Sequence, residues 1–363
     1  MKHNFSITKT MNPKQKPDPD KLVFGKVFTD HMFMMEYTTG KGWHDGKIVP
    51  YGPLPMDPAA AVFQYAITMF EGMKAYKTAD GKVQLFRPDM NIKRTNRTNE
   101  RVCMPTIDAD LMLDAIKAVV DIDRDWIPEK PGTSLYIRPF IFADEPFLGV
   151  HPANHFIFMV ILSPVGAYYS VGGGDSLPTT KIYVEDKYAR TAVGGTGAAK
   201  IGANYIISMK AQVEAAEKGY DQVLWLDSAE KKYVQEIGTS NAFFVINNEV
   251  ITAPLDDGTI LPGITRDSCL TLLRKWGVPC SERLLTIDEV FTAAENGTLN
   301  EAFASGTAAV ISPVGEMIWK DKKVAVNNNQ AGPVAKRLYE ELVGIQRGIK
   351  PDTMGWVVEV EAQ

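Results

Sequence analysis

Three consecutive glycines, Gly172-Gly173-Gly174, followed by Asp175-Ser176, interrupt the chain near its middle. Glycine loses more backbone freedom on ordering than any other residue. Residues 166–178 therefore predict a linker or mobile loop between packed elements. Patterning differs on its two sides. The first side holds a β-prone aromatic stretch (Val23 to Tyr37) and two helices with proline or aspartate starts (Pro88 to Arg101, Asp108 to Asp123). Two long strands then follow, Ser134 to Ala143 and His155 to Pro164. The second side predicts short strands at Lys181 to Glu185, Gln222 to Asp227, Tyr233 to Ile237, Asn241 to Thr252 (folded at Asn247-Asn248), Glu301 to Gly306 and Val310 to Trp319. Its helices include one with Ile206, Met209, Val213 and Ala216 on one face, stopped at Gly219. Another follows Pro262-Gly263, a third follows the capping box Thr286-x-x-Glu289, and the last carries Val334, Leu338, Leu342 and Ile345 in register. The expectation is a mixed α+β protein. Residues 1–20 form a loose arm, 21–165 a small α+β domain, 166–178 the linker and 179–363 a larger second domain.

Charge and cysteine usage exclude several classes. The net charge is −5 over 363 residues, without the basic stripe a nucleic-acid surface needs. Lys93, Arg94, Arg97 and Arg101 share a helix face, a solvated face from which a single member can still reach an anion. Three cysteines at irregular spacing make neither a disulfide framework nor a zinc site, and no His-x-x-x-His pair exists among the five histidines. No metal is expected. The longest apolar run, Phe156 to Leu162, is far shorter than a membrane span. Residues 1–20 hold no signal-peptide core, so a cytoplasmic protein is expected.

The residue that carries chemistry is Lys200, in Gly194-Gly195-Thr196-Gly197-Ala198-Ala199-Lys200-Ile201-Gly202-Ala203-Asn204-Tyr205. A lysine among such small residues reads as a phosphate clamp, as a Schiff-base amine or as an ordinary loop lysine. The clamp fails in detail: a Walker A loop needs Gly before and Ser or Thr after the lysine, and here Ala199 and Ile201 stand there. The Schiff-base reading needs three accessories. Tyr205 offers a phenol for the ring oxygen of a pyridoxal cofactor. Glu236, at a strand end before Gly238-Thr239-Ser240-Asn241, offers a carboxylate for its ring nitrogen. Gly263-Ile264-Thr265 at a helix start, Ser305-Gly306-Thr307-Ala308 and Arg94 offer a phosphate cup. Each group alone has a plain structural reading as a packed tyrosine, a solvated acid or a helix cap.

The ordered set of motifs resembles the branched-chain amino acid aminotransferases, class IV pyridoxal phosphate enzymes of the D-alanine aminotransferase-like fold. It includes Phe28-Thr29-Asp30-His31-Met32, Phe70-Glu71-Gly72-Met73-Lys74, Ser134-Leu135-Tyr136-Ile137-Arg138-Pro139, Glu236-Ile237-Gly238-Thr239 and Leu261-Pro262-Gly263. The resemblance spans about Phe24 to Trp356 and is closest to the longer, eukaryote-like subgroup. It implies a two-domain fold whose larger domain binds pyridoxal 5′-phosphate, with Lys200 as the catalytic amine. Arg94, Tyr205, Glu236, Thr239, Ile264, Thr265 and Thr307 are then cofactor ligands. Tyr65 and the N–H groups of Thr307 and Ala308 meet the substrate α-carboxylate. Phe24, Phe70, Tyr136, Tyr168 and Val150 line the side-chain pocket, Val150 from a partner subunit, and Arg138 receives the distal carboxylate of glutamate or 2-oxoglutarate. The implied partners are amino acids, 2-oxo acids and a second copy in a homodimer with shared sites; neither nucleic acid nor membrane is implied. Ala309 and Ser312 stand where longer relatives carry Cys-x-x-Cys, so a thiol switch is not expected, and Gly202-Ala203 replaces the family's Gly-Gly. The competing readings are another reaction on the same fold, such as D-amino acid transamination or aminodeoxychorismate lysis, and a non-catalytic binder of a phosphate ligand.

Overall fold

The structure is a computed structural model that describes residues 1–166 and 177–362. Two compact units divide the chain. One comprises Met1–Tyr168, Lys200–Gly202 and Gly344–Gln363, the other Tyr169–Ala199 and Ala203–Val343. Tyr168 and the Gly172–Gly174 loop lie outside the described residues.

The first unit is built on an antiparallel sheet in the order Gly42–Pro50, His31–Thr38, His155–Val165, Ser134–Ala143, Met73–Lys77, Val83–Phe86, Val357–Glu359. Thr68–Phe70 also pairs with Ser134–Ala143. The residues expected as a loose arm are partly tied down. Ser6–Ile7 pairs parallel to Gly42–Pro50, and the Phe5 ring meets that of Phe33 edge-on with centroids 4.8 Å apart. The chain end, read from sequence as part of the second domain, groups with this unit because Val357–Glu359 pairs with Val83–Phe86. Local patterning cannot name a strand's distant partner. Two helices belong to this unit. Pro88–Arg101 starts on its proline, and Ala109–Ile122 is capped by Asp108, whose side chain accepts from the Leu111 N–H.

In the second unit six strands close on themselves: Val234–Ile237, Gln222–Leu226, Thr180–Glu185, Val310–Trp319, Leu299–Gly306, Ser240–Ile246, and back to Val234–Ile237. Closure leaves the ring without a free edge. Ile182, Val184, Leu224, Phe244, Ala304 and Met317 belong to its buried core, joined by Val290 and Phe291 of helix Ile287–Glu295. The N-cap half of the predicted capping box is present, with Thr286 Oγ1 accepting from the Glu289 N–H at 3.0 Å, while the Glu289 carboxylate pairs with Arg283. The fold at Asn247-Asn248 is a tight hairpin with φ of 51° and 65°, values asparagine tolerates. In the last helix, Pro333–Gln346, Leu338, Leu342 and Ile345 are buried as expected, while Val334 is half-buried.

One helix departs from expectation. The stretch after Lys200 is two pieces, Ala203–Ile206 and Met209–Glu217, and the face predicted to be buried is exposed: Ile206 66%, Met209 60%, Val213 52%. Ala211 and Ala215 face inward instead, clustered with Trp225 and Val223. Alanines let the helix approach an indole that bulky residues would hold off. No helix among the described residues is long and apolar enough to cross a membrane.

Candidate active site

In the first unit Lys200 is fixed by its backbone. Its N–H donates to Thr98 Oγ1 at 3.0 Å, and its carbonyl accepts from the Phe70 N–H at 3.1 Å. Ile201 forms a bridge with Met69. The half-buried ammonium lies 4.9 Å from the centre of the Phe70 ring. One residue on, Glu71 is fully buried. Arg94 clasps it, Nε to Oε1 at 2.7 Å and Nη2 to Oε2 at 2.9 Å, and Asn91 Nδ2 donates to the same Oε2 at 2.7 Å. Burial alone would raise the Glu71 carboxyl. The charge and hydrogen bonds of Arg94, the charge of Lys200 and the Asn91 amide outweigh it and hold the group below its ordinary range. Arg94 is thus 4% exposed, apart from its exposed neighbours Lys93, Arg97 and Arg101.

Strand Ser134–Ala143 presents Tyr136 and Arg138 on one face, two residues apart. Arg138 Nη2 donates to the Tyr136 hydroxyl at 3.2 Å, and its guanidinium stands 4.8 Å from the Phe70 ring centre. Its Nε is buried without a hydrogen-bond partner. Phe24 closes edge-on against Tyr136 at 4.8 Å. Gly72 must be glycine here, since a Cβ would lie 2.0 Å from the Tyr136 hydroxyl. Phe24, Phe70, Tyr136 and Arg138 therefore form one aromatic surface with a cation in it. Tyr65 donates its hydroxyl to the Leu148 carbonyl, and Val150 is 82% exposed.

The second unit holds the other group. Glu236 is 3% exposed. Its Oε2 lies 3.1 Å from Arg190 Nη2, and its Oε1 accepts from the Leu261 N–H at 3.0 Å and from Asn241 Nδ2 at 3.1 Å. Arg190 also donates to the Thr259 carbonyl at 2.7 Å, while its Nε is buried and unpartnered. Tyr205, Thr239, Glu236, Arg190 and Leu261 line one cavity with Ala199, the residue before Lys200. Asn204 shapes its wall, donating to the carbonyls of Thr196 and Ala199. Asn241 links this cavity to the next feature: a Cβ on Gly263 would lie 1.9 Å from its Oδ1. Gly263 is the N-cap of helix Ile264–Lys275, and no side chain caps that end. The first-turn N–H groups there, with the helix dipole, suit an anion. Asn241 pairs in register with Ser305, whose Oγ is buried without a partner and which leads into Gly306, Thr307 and Ala308.

Glu71, Thr98, Arg190 and Asn241 carry no role in the sequence reading. Arg190 reaches Glu236 from a distant loop, to which a spacing rule has no access, whereas Asn241 lies directly across from Glu236 in the hairpin turned at Gly238-Thr239. Glu71 stands within a quoted motif, and its only signal there is a carboxylate among apolar neighbours.

Comparison with known proteins gives consistent matches. The family model for amino-transferase class IV matches residues 68–317. The branched-chain-amino-acid aminotransferase 2 of Bacillus subtilis (strain 168) is 52% identical over 361 residues, 99% of this chain and 98% of its own. A branched-chain-amino-acid aminotransferase of Mycobacterium tuberculosis is 40% identical over 98% of both chains. Among solved structures, a T.th. branched-chain amino acid aminotransferase with pyridoxamine 5′-phosphate superposes with a TM-score of 0.76 at 28% identity, covering 91% of this chain and 98% of that one. The chain belongs to the amino-transferase class IV family.

Proposed function

We propose that the chain exchanges amino groups between leucine, isoleucine or valine and 2-oxoglutarate, as a pyridoxal phosphate-dependent branched-chain aminotransferase. The observation that carries the reading is Glu236. It is a buried carboxylate held by an arginine, an amide and a backbone N–H, and it shares a cavity with the phenol of Tyr205 in a chain so close to enzymes named for this activity.

The residues fit the cofactor. A carboxylate and a phenol in one cavity answer the ring nitrogen and ring oxygen, while an uncapped helix start and the unpartnered Ser305 hydroxyl answer a phosphate. Tyr205, Glu236, Thr239, Ile264, Thr265 and Thr307 would hold it, with Arg94 adding charge. When bound, the cofactor supplies an aldehyde that accepts the amino group and a ring that withdraws electrons. Lys200 Nζ would supply the amine that holds the cofactor and would move the proton at the substrate α-carbon. Glu236 would keep a proton on the ring nitrogen, and Tyr205 would donate toward the ring oxygen. Tyr65 and the N–H groups of Thr307 and Ala308 orient the α-carboxylate. Phe24, Phe70 and Tyr136, with Tyr168, exclude water and take the branched side chain. Arg138 takes the distal carboxylate of the dicarboxylic partner.

The substrates are amino acids and 2-oxo acids. The working assembly we propose is a homodimer in which Val150 completes the partner's pocket; the exposed apolar run Phe147, Leu148 and Val150 supports it. A cytoplasmic setting accords with three free cysteines.

Borohydride reduction of the holoenzyme followed by peptide mapping tests the reading. The label should fall on Lys200, and Lys200→Ala should lose both the Schiff-base absorbance and turnover of L-leucine. A label on another lysine, or turnover of D-alanine in place of L-leucine, would refute it.

A further inference from the structure

Arg190 shares the cavity of Glu236 and Tyr205, and among the described residues lining it Arg190 supplies the positive charge. It is 6% exposed, and an arginine is seldom buried so far unless its charge is matched. Its Nη2 stands 3.1 Å from Glu236 Oε2 and donates to the Thr259 carbonyl at 2.7 Å. Thr191 Oγ1 donates to the same carbonyl at 3.0 Å. Asp257 Oδ1 holds Thr259 in turn, accepting from its N–H at 2.9 Å and from its hydroxyl at 2.7 Å. The glycine-rich loop closes on this point: a Cβ on Gly197 would lie 2.3 Å from the Thr259 carbonyl oxygen. The guanidinium is thus seated by contacts that do not involve Glu236.

The two oxygens of Glu236 are treated unequally. Oε1 accepts from two neutral donors, the Leu261 N–H and Asn241 Nδ2, while the positive charge stands at Oε2. Two donors occupy the lone-pair directions of one carboxylate oxygen. A protonated ring nitrogen therefore comes to Oε2, the oxygen that Arg190 touches. Burial penalises an ionised carboxylate, and an adjacent cation offsets that penalty. A carboxylate and a ring nitrogen in contact share one proton, and a cation seated on the carboxylate drives the proton to the nitrogen. A plain tie between loop and strand explains a hydrogen bond at Glu236, but Asn241 and Leu261 already make that tie with neutral groups.

We propose that Arg190 is a positioning residue of the transamination: its charge keeps Glu236 ionised, so that the proton shared by Glu236 Oε2 and the cofactor's ring nitrogen stays on the nitrogen. This role rests on the proposed function, in which Glu236 serves that nitrogen. Without the charge of Arg190 the proton crosses to Oε2, the nitrogen is left neutral, and the ring withdraws electrons less well. Arg190 acts only through Glu236 and touches neither substrate nor reacting atoms.

The test compares Arg190→Gln, which removes the charge, with Arg190→Lys, which keeps it, each alone and combined with Glu236→Gln, all as holoenzymes. The infrared difference between Arg190→Gln and its Glu236→Gln double variant should show the carbonyl band of a protonated carboxyl. The same difference for the wild type and for Arg190→Lys should show none. Single-turnover transamination of leucine should slow roughly tenfold or more in Arg190→Gln, the worth of about one charge-assisted hydrogen bond. Added to Glu236→Gln, the same change should slow it by no more than about twofold, the scatter between independent sites. Arg190→Lys should slow part of the way, and that slowing too should vanish beside Glu236→Gln; it decides alone if Arg190→Gln fails to fold. Absence of the band in Arg190→Gln, or equal slowing with and without Glu236, overturns the proposal and leaves Arg190 a structural tie. A borohydride label on Lys200 together with either result refutes this role alone, whereas a label on another lysine refutes the proposed function.

Discussion

Glu236 is enclosed by Arg190, Asn241 and the Leu261 N–H, so a substitution there reads out its chemistry if the shape is kept. Glu236→Gln preserves an acceptor toward Leu261 but cannot hold a proton on a ring nitrogen. It should bind the cofactor and transaminate slower by roughly a hundredfold or more, the scale on which acid–base groups act. Single-turnover rates with leucine check this, and an unchanged rate would mean the ring nitrogen is handled otherwise. Arg138 separates the two substrate classes. Its guanidinium lies over Phe70 and beside Tyr136, with an unpartnered Nε. A charge-assisted hydrogen bond is worth about 1.5–3 kcal/mol, and each 1.4 kcal/mol is about tenfold. Arg138→Met should therefore raise KM for 2-oxoglutarate about tenfold or more while that for leucine moves little; equal changes would remove Arg138 from distal-carboxylate recognition. Both residues stand in motifs legible in the sequence. Arg190 is not legible there, because an arginine in a loop announces nothing until the fold turns it onto a buried acid.

Helices and strands are legible wherever one local signal decides them. Pro88–Arg101, Ile287–Glu295 and the Asn247-Asn248 hairpin follow from a proline, a capping box and paired asparagines. Helix Met209–Glu217 misleads because its apolar residues mark the exposed face, whereas the alanines that pack on Trp225 look neutral in a periodicity count. Closure of the six-strand ring is not legible at all, since register between distant strands leaves no local trace. The start of helix Ile264–Lys275 joins both kinds of information. Its uncapped N-terminus is readable, but its link through Asn241 to Glu236 is not. That link makes Gly263 a sharp probe. Gly263 sits at φ −69°, so alanine suits the backbone, yet its Cβ would meet Asn241 Oδ1 at 1.9 Å. Asn241 cannot swing away without losing Glu236 and the Leu261 carbonyl. Gly263→Ala should cost about 1–3 kcal/mol of stability, the usual cost of overpacking, and should loosen cofactor binding. Urea midpoints and cofactor loss on dilution measure the two effects, and normal cofactor retention would detach Asn241 from the phosphate end.

At the scale of the whole molecule, each unit carries its own sheet and core, so a lesion in one should be readable apart from the other. Glu71 and Arg94 offer such a lesion. Both are buried, and removing one partner of such a pair costs about 3–5 kcal/mol because the other charge is left uncompensated. Glu71→Gln should thus destabilise the protein at pH 7, with faster amide exchange in helix Pro88–Arg101 and strand Ser134–Ala143, while the ring strands of the second unit keep their protection. The pH dependence fixes the sign. The folded Glu71 carboxyl is held below its ordinary 4.5, so its contribution is fully present above that value and is lost as pH falls through the folded pKa. The stability gap between wild type and Glu71→Gln should stay flat from about pH 8 to about 6 and begin to narrow below about 4.5, by at most about 1.4 kcal/mol per pH unit. Urea midpoints across that range decide it. A gap that kept its full pH 7 size down to about pH 3 would assign the cost to shape, and a gap that widened on acidification would contradict a depressed carboxyl.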